Sequence, residues 1–354
     1  MKKRAKKKDS QKMSKRRGVK RIAKRKGHKK VRAVSKSVKY SIILGRVKRE
    51  IARVIVGQEK IIDGVLRAVL SDGHVLVEGV PGIAKTLLIR ALGRATGCET
   101  KRIQFTIDLL PTDILGLTSF SKGKGLTFIK GPIFANFLIA DEINRASSKT
   151  QSALLEGMQE KIVTISRTTY NLPLPFFVMA TQNPIESAGV NPLPEAQVDR
   201  FLFKLSMPYP SEEEEQKIMK ENATLKKFED FHIKSVTNAK QIIEMQKFVK
   251  TIYLSKQIER YIVKIVEATR KKNKKITLSR YIYLGASPRA SIGLFIAAKA
   301  QALIEGKSYV TPHHIKTVAH DVLRHRILLN YEGQAENVQI DDIITEILQK
   351  VPVP

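Results

Sequence analysis

The chain has 354 residues, of which 42% are hydrophobic and 27% are charged, and this composition predicts a globular protein of about two domains. Its single cysteine excludes an intrachain disulfide framework, and no uninterrupted apolar run approaches the roughly 20 residues that a membrane-spanning helix needs. Because no apolar segment follows the basic N-terminus as it would in a secretory signal, we expect a cytoplasmic protein with no transmembrane segment.

The net charge of +31 is concentrated at the N-terminus. Residues 1–40 contain 20 lysines and arginines against one acidic residue, Asp9, and almost no large apolar residue before Val31. Such a segment cannot bury enough surface to offset the entropy lost on ordering, so we predict a disordered basic tail over 1–40. Its charge suits either a solubilising extension or a nonspecific contact with nucleic acid, a ribosome-like surface or anionic lipid headgroups.

A glycine-rich loop follows the first predicted strand. Two amphipathic helical segments between residues 41 and 70, broken near Val56, precede an apolar run at 75–77. A strand, a glycine-rich turn and a helix in this order predict a phosphate-binding loop, because a helix N-terminus offers unpaired N–H groups and the positive end of its dipole. Lys85 would contact the β- and γ-phosphates of a nucleoside triphosphate, and the Thr86 hydroxyl would bind Mg²⁺. The loop residues are Gly79, Val80, Pro81, Gly82, Ile83, Ala84, Lys85 and Thr86.

Ala84 departs from the general pattern of such loops. It stands where the second glycine of G-x-x-x-x-G-K-[ST] is expected. A methyl group is tolerable there on the condition that the residue already has right-handed helical dihedrals.

A later apolar strand ends in paired acids. Residues 137–140 are apolar, and Asp141 and Glu142 follow them. In phosphate-loop chemistry the first acid holds Mg²⁺ and the second polarises the attacking water, so we assign Asp141 to the metal and Glu142 to the role of catalytic base. A strand that merely ends in solvated acids is common, but its position after a phosphate loop favours a nucleoside triphosphatase.

Segments further along the chain supply an amide and two arginines. Asn183 follows a strand at 176–181, where its amide would orient water against the γ-phosphate. Arg200 precedes a strand-like run, from which it would project toward the phosphate of a neighbouring subunit. Arg289 opens an apolar helix and is a second candidate for sensing phosphate. In isolation either arginine would more often be a surface residue, but their order after the two motifs favours the functional interpretation.

The alternation of strands and helices predicts a parallel, three-layer α/β sheet. Two β-hairpins, at about 117–129 and 161–174, interrupt this alternation. The predicted strands are 74–79, 101–106, 136–141, 176–181 and 201–207, and the helical segments include 85–96 and 147–160.

Helical periodicity dominates from Pro210 to the end of the chain. Ser211 with Glu214 has the spacing of a capping box at the start of this part. We therefore predict three regions: a basic disordered tail at 1–40, an α/β ATPase core at 41–209 and an all-helical lid domain at 210–354.

From about Ile51 to Ile327 the chain resembles the MoxR family of AAA+ ATPases, in which alanine often stands at the position of Ala84. The segments that carry this resemblance are 56–58, 78–86, 104–111, 131–136, 140–146, 149–160, 180–184, 195–201 and 285–290.

The resemblance implies a role for each candidate residue. Asn183 would be the sensor-1 residue, Arg200 the arginine finger and Arg289 the sensor-2 arginine, acting on ATP with Mg²⁺. The adenine would lie against Val56, Gly57 and Gln58.

The resemblance also implies assembly into a ring, with a hexamer expected, and chaperone-like remodelling of protein complexes. Members of the family often act with proteins that carry von Willebrand factor A domains, and hairpins at these points face the central channel or a partner. The alternative is a nucleic-acid-stimulated motor or clamp-type ATPase, suggested by the basic tail and by Lys122, Lys124 and Lys130 near the first hairpin. A nucleotide-gated scaffold without catalysis is disfavoured, because each expected polar residue is present.

Overall fold

A computed structural model describes residues 34–79, 82–121, 125–165, 168–183, 191–222, 227–270 and 275–354. Three groups of predictions lie outside these residues: the tail over 1–33, Val80 and Pro81 of the loop, and Lys122 and Lys124 of the first hairpin. Within the described ranges, no helix combines the length and apolarity needed to cross a bilayer.

The strands are β1 (Val75–Gly79), β2 (Thr100–Gln104), β3 (Gly116–Ser121), β4 (Gly125–Lys130), β5 (Phe137–Asp141), β6 (Ile162–Ile165), β7 (Thr168–Asn171), β8 (Phe177–Gln182), β9 (Phe203–Met207), β10 (Ile282–Leu284) and β11 (Leu328–Leu329). The α-helices are α1 (34–52), α2 (Glu59–Leu70), α3 (Lys85–Thr96), α4 (Pro111–Leu115), α5 (Ser148–Glu160), α6 (Glu195–Val198), α7 (Glu212–Asn222), α8 (Ala239–Thr251), α9 (Lys256–Ala268), α10 (Pro288–Ile304), α11 (Pro312–Leu323), α12 (Tyr331–Ala335) and α13 (Ile340–Lys350).

Five parallel strands form the main sheet in the order β2-β5-β8-β1-β9. The predicted α/β fold with a parallel sheet is therefore confirmed, and each predicted strand limit lies within about two residues of the observed one. Because the strands are parallel, their carboxyl ends all meet at one edge of the sheet.

Alternate residues of the three central strands, β1, β5 and β8, enter two different cores. Val75 and Val77 face the core that holds α2, α3 and the C-terminal helices. Leu76, between them, faces a second core with Leu154 of α5. Because both faces of the sheet are covered there, the central strands read as continuous apolar runs.

Both predicted hairpins are present as two-stranded antiparallel units. β3 pairs with β4, and β6 pairs with β7. Both hairpins lie outside the main sheet. In the sequence, β3 and β4 come between β2 and β5, and β6 and β7 come between β5 and β8.

The C-terminal part is helical, as predicted, and begins with the predicted capping box. The Ser211 N–H donates to Oε2 of Glu214 at 2.8 Å, and the Glu214 N–H donates to Oγ of Ser211 at 3.3 Å. Helical periodicity did not predict the small antiparallel pair of β10 with β11 within this part.

Residues 34–40 correct the predicted extent of the basic tail, because they form the first turns of α1 and not a disordered segment. Ser37 is fully buried and its hydroxyl donates to the Gly306 carbonyl oxygen at 3.0 Å. Tyr40 is also buried and packs edge-on against Phe248 of α8. A serine that is buried through a hydrogen bond does not contribute to the apolar periodicity by which a buried helix face is recognised. The prediction therefore relied on the density of basic residues and extended the disordered tail too far.

Candidate active site

A cavity of about 470 Å³ lies at the carboxyl edge of the main sheet. Its walls come from the start of α3 and from the ends of β5 and β8. The sequence-predicted residues that line it are Gly82, Ala84, Lys85, Thr86, Asp141, Glu142 and Asn183, and it is also lined by Leu87, Arg90, Arg102 and Thr181.

The described part of the glycine-rich loop uses two left-handed backbone conformations. Gly82 has φ of +85°, which glycine adopts without a steric cost. Ala84 has φ of 63° and ψ of 24°, which is a left-handed conformation. The right-handed dihedrals that would make a methyl group tolerable at this position are therefore not observed. The methyl group at this position stands in a left-handed conformation that costs an L-residue about 1 kcal/mol or more.

Lys85 is the first residue of α3 and closes the loop. Its Nζ donates to the carbonyl oxygen of Gly79 at 2.5 Å. Burial lowers the pKa of the Lys85 ammonium, and the nearby carboxylates of Asp141, Glu142 and Glu78 oppose this effect. The ammonium thus lies between the loop and the acidic ends of the strands, as an anion-binding cation would.

Asp141 ends β5 with both carboxylate oxygens engaged. Oδ1 accepts from the Thr181 hydroxyl at 2.7 Å. Oδ2 accepts from Nη2 of Arg102 at 2.8 Å and from its Nε at 3.1 Å. Neither Arg102 nor Thr181 was predicted to belong to the site.

Glu142 follows Asp141 in a left-handed conformation, with φ of 56°. Its N–H donates to Oγ1 of Thr181 at 2.9 Å, so the Thr181 hydroxyl bridges the two acids. Its side-chain Oε2 accepts from Nε2 of Gln104 at 2.8 Å and lies 3.1 Å from Nε of Arg145. Backbone strain of this kind is concentrated at functional sites, where surrounding contacts impose it.

The donor set at this edge fits Mg²⁺. Thr86 supplies a hydroxyl oxygen and Asp141 a carboxylate, and both line the same cavity. Mg²⁺ prefers oxygen ligands of this kind and is commonly held by one or two protein groups together with phosphate oxygens.

A second cavity, of about 330 Å³ and largely apolar, adjoins the loop. Among the residues predicted to contact adenine, Val56 and Gln58 line it together with Ile83. Gly57 lies between the first two with φ of +75°, and the Glu214 carboxylate occupies the place of a Cβ. The exposed ring of Tyr209, which was not predicted, lines the same cavity.

Arg200 and Arg289 are not among the described residues that line either cavity. Both lie beside Asp199 instead. Nη1 of Arg289 is 3.6 Å from Oδ2 of Asp199, and Arg200 is the next residue after Asp199. Ser287 Oγ also donates to Oδ2 of Asp199, at 2.9 Å.

Arg326, another residue that was not predicted, fixes the segment that carries Arg200. It is buried, and its Nε donates to Oδ1 of Asp199 at 2.7 Å while its Nη2 donates to the Phe201 carbonyl at 2.7 Å. The backbone on both sides of Arg200 is therefore held in place by a residue of the turn that follows α11.

Comparisons with known proteins match both the core and the C-terminal helical part of the chain. Residues 74–203 match the family described as "ATPase family associated with various cellular activities (AAA)", and residues 276–347 match the AAA lid domain. The chain is 44% identical over 308 residues to "Chaperone MoxR1" of Mycobacterium tuberculosis, covering 86% of this chain and 81% of that protein. It is also 44% identical over 313 residues to YeaC of Bacillus subtilis, covering 88% and 95% of the two chains.

A solved structure shares the fold of this chain. The crystal structure of a candidate ATPase from Cytophaga hutchinsonii superposes with a TM-score of 0.84 at 43% identity. The match covers 90% of this chain and 97% of that one.

Proposed function

The chain belongs to the MoxR family of AAA ATPases, and from this premise we propose that it is an Mg²⁺-dependent ATPase that remodels or matures protein complexes as a ring of identical subunits. The family itself implies ATP hydrolysis. The observation that supports the proposed catalytic site is one cavity lined by a loop lysine, a helix N-terminal threonine, paired acids and a strand-end amide.

Each of these residues has a distinct part in the proposed mechanism. Lys85 and the N–H groups at the start of α3 bind the β- and γ-phosphates. Thr86 and Asp141 hold Mg²⁺, which when bound neutralises charge on the phosphates. Glu142 accepts the proton of the attacking water, and Asn183 orients that water against the γ-phosphate.

The adenine binds in the adjoining apolar cavity, between residues 54–58, the loop and the start of α7. Val56 and Gln58 line this space, and Gly57 lies between them in the chain. The Nε2 of Gln58 donates to the Pro208 carbonyl at 3.3 Å. Because α7 begins the C-terminal helical part, nucleotide bound here contacts both parts of the chain. Loss of the γ-phosphate would thereby change how the lid and the two hairpins sit on the core.

Arg200 serves a neighbouring subunit in this proposal, and Arg289 keeps the phosphate-sensing role that the family resemblance implies. Arg200 follows Asp199 and Arg289 pairs with it, and neither is among the described residues that line the two cavities. An arginine supplied from an adjacent subunit stabilises charge on the transferring phosphoryl group. Such a contact requires a head-to-tail interface that closes into a ring, and we propose a hexamer.

The remodelling role draws on the relatives. The protein that is 44% identical in Mycobacterium tuberculosis is named a chaperone. We propose the same broad activity here, with a protein that carries a von Willebrand factor A domain as the accessory partner.

Substitution of Glu142 tests the catalytic assignment. Glu142→Gln keeps the shape of the cavity but removes the base, so turnover should fall by about 10²–10⁴-fold while ATP affinity stays within a few fold. Steady-state phosphate release and binding of a fluorescent ATP analogue measure the two quantities. Glu156→Gln on the exposed face of α5 is the control and should behave as wild type. Turnover of Glu142→Gln near the wild-type rate would remove this residue from the mechanism.

The second candidate function is that of a nucleic-acid-stimulated motor or clamp-type ATPase. The 20 basic residues in the first 40 favour it, because counterion release from nucleic acid would supply affinity. ATP hydrolysis by the full chain and by a chain starting at Val34 should be measured with and without DNA or RNA. We expect no stimulation of the shorter chain; stimulation that survives the truncation would favour the motor.

A further inference from the structure

We propose that the outer face of α1 is a peripheral docking surface for a membrane that carries anionic lipids, with the basic residues that precede α1 adding to the attraction. This inference goes beyond the proposed function and does not depend on ATP hydrolysis. It rests on a row of exposed aliphatic side chains, on the basic residues beside that row and on the contacts that anchor α1 to the fold.

Three aliphatic side chains form a row on the outside of α1. Val34, Val38 and Ile42 are 45%, 46% and 53% exposed. Residues four positions apart lie on one face of a helix, so the three side chains follow one another along the same face. Such a row is stabilised when an apolar phase covers it, because apolar surface is then removed from water.

Basic residues border this row. Lys39, Arg46 and Arg49 are all exposed, and the two arginines continue the face four and seven positions after Ile42. The segment 10–49 contains no acidic residue. An apolar row bordered by lysine and arginine is typical of helices that lie in the headgroup layer of an anionic membrane.

The opposite face of α1 anchors the helix to the fold. Tyr40, Leu44 and Val47 are buried there. The Ser41 hydroxyl donates to the carbonyl oxygen of Ile304 at 2.7 Å. Because these contacts hold α1 in place, its outer face is already formed before a membrane is met, and docking orders few additional groups.

The residues before α1 supply an attraction of longer range. Residues 1–33 contain 18 lysines and arginines and one acidic residue, Asp9. Basic residues are drawn to the negative surface potential of an anionic membrane, and salt screens this attraction. Stable peripheral binding needs two signals, of which the charge supplies one and the aliphatic row supplies the other.

The aliphatic row favours a membrane over nucleic acid as the partner. A nucleic acid would use the basic residues and, where single-stranded, exposed aromatic rings. Tyr40 is the only phenylalanine, tyrosine or tryptophan among the first 49 residues, and its buried ring packs against Phe248. Phosphate contacts leave Val38 and Ile42 in water, whereas the boundary of the acyl chains covers them. A second copy of the same face would bring like charges together, which disfavours self-association through it.

Vesicle binding tests the charge and the aliphatic row separately. The full chain should sediment with vesicles of phosphatidylcholine and phosphatidylglycerol but not with phosphatidylcholine alone, and added salt should weaken binding. Val38→Ser should lower the partition coefficient about three- to tenfold, and Val38→Ser combined with Ile42→Ser about tenfold or more. Val263→Ser on α9 is the matched control, since Val263 is 49% exposed and lies outside the row. It should bind as wild type does.

A fluorophore reports whether the row enters the membrane. Ile42→Cys labelled with an environment-sensitive dye should shift its emission to shorter wavelength when the anionic vesicles are added. Val263→Cys labelled in the same way should show no shift. The native Cys98 is buried, so it should not react with the dye in the folded chain.

Three results would overturn the proposal. The first is equal vesicle binding by Val38→Ser and Val263→Ser at unchanged unfolding temperature, because the aliphatic row would then make no contact. The second is binding of homopolymeric RNA without binding of anionic vesicles, which would make nucleic acid the partner. The third is a lower assembled mass of the double variant with unchanged vesicle binding, which would place this face of α1 between copies of the chain.

Discussion

Ala84 and Glu142 both line the candidate site, and both have backbone conformations that L-residues rarely adopt. The sequence located both residues but could not predict their dihedrals. A glycine at position 84 would have signalled the left-handed turn, whereas alanine suggested the right-handed alternative. At Glu142 the conformation depends on Thr181, whose hydroxyl accepts from the Glu142 N–H.

Ala84→Gly should raise the free energy of unfolding by up to about 1 kcal/mol. The gain from relieving the left-handed strain exceeds the extra entropy that glycine adds to the unfolded chain. ATP affinity should stay within a few fold, because the N–H groups of the loop are unchanged. Thermal unfolding measures the stability, and nucleotide titration measures the affinity.

Ala153→Gly provides the matched control, since Ala153 lies within the right-handed α5 and is partly exposed. There the same substitution should lower the free energy of unfolding by about 1 kcal/mol. Equal destabilisation by both substitutions would mean that Ala84 is not strained in solution.

At the scale of elements, the order of the strands decides which polar residues meet. Apolar runs and turn residues predicted the strands, the two hairpins and the capping box at Ser211 from local patterns alone. They could not predict that β2 lies beside β5, which brings Arg102 and Gln104 to the paired acids. The small β10 and β11 pair and the extension of α1 over 34–40 were missed for the same reason, because long-range contacts specify them.

His74 connects three elements through a buried imidazole that must stay neutral. Its Nε2 lies 2.8 Å from the Met158 carbonyl at the end of α5, and its Nδ1 accepts from the Val178 N–H of β8 at 3.1 Å. Since Nδ1 accepts, Nε2 carries the proton and donates. Burial lowers the pKa of His74 from 6.5 to about 4.

The free energy of unfolding should therefore fall as the solution is acidified. Between pH 6.5 and about 4 the unfolded chain binds a proton at His74 that the folded chain does not, so stability falls with pH through this window and levels off below it. The loss amounts to about 3 kcal/mol. In His74→Gln the decline between pH 7.5 and 4 should be smaller by that amount, as measured by denaturant unfolding at each pH. The exposed His313→Gln should keep the wild-type dependence, and a His74→Gln curve parallel to wild type would contradict the assignment.

At the scale of the whole molecule, the residues that line the cavity at the loop and the pair of Arg289 with Asp199 come from different parts of the chain. The motifs predicted the α/β core, the helical lid and the residues that line the cavity. They did not predict that Arg289 pairs with Asp199, beside Arg200, because this contact joins α10 to the segment before β9 across a large separation in sequence. Neither Arg200 nor Arg289 is among the described residues that line the cavity at the loop.

The proposed mechanism depends most on whether a second copy of the chain completes the active site. Arg200→Ala should lower turnover by a factor of roughly 10³, and Lys85→Ala should be equally inactive because it loses the phosphate contact. Mixed in equal amounts, the two variants should recover about one quarter of the wild-type rate, since that fraction of random interfaces joins an intact loop to an intact Arg200. Lys85→Ala mixed with Glu142→Gln is the control. It should recover no activity, because Lys85 and Glu142 act in the site of the same subunit and no interface can combine an intact Lys85 with an intact Glu142. Recovery in the first mixture and not in the second is the result we predict; no recovery despite demonstrated co-assembly would contradict a site shared between subunits.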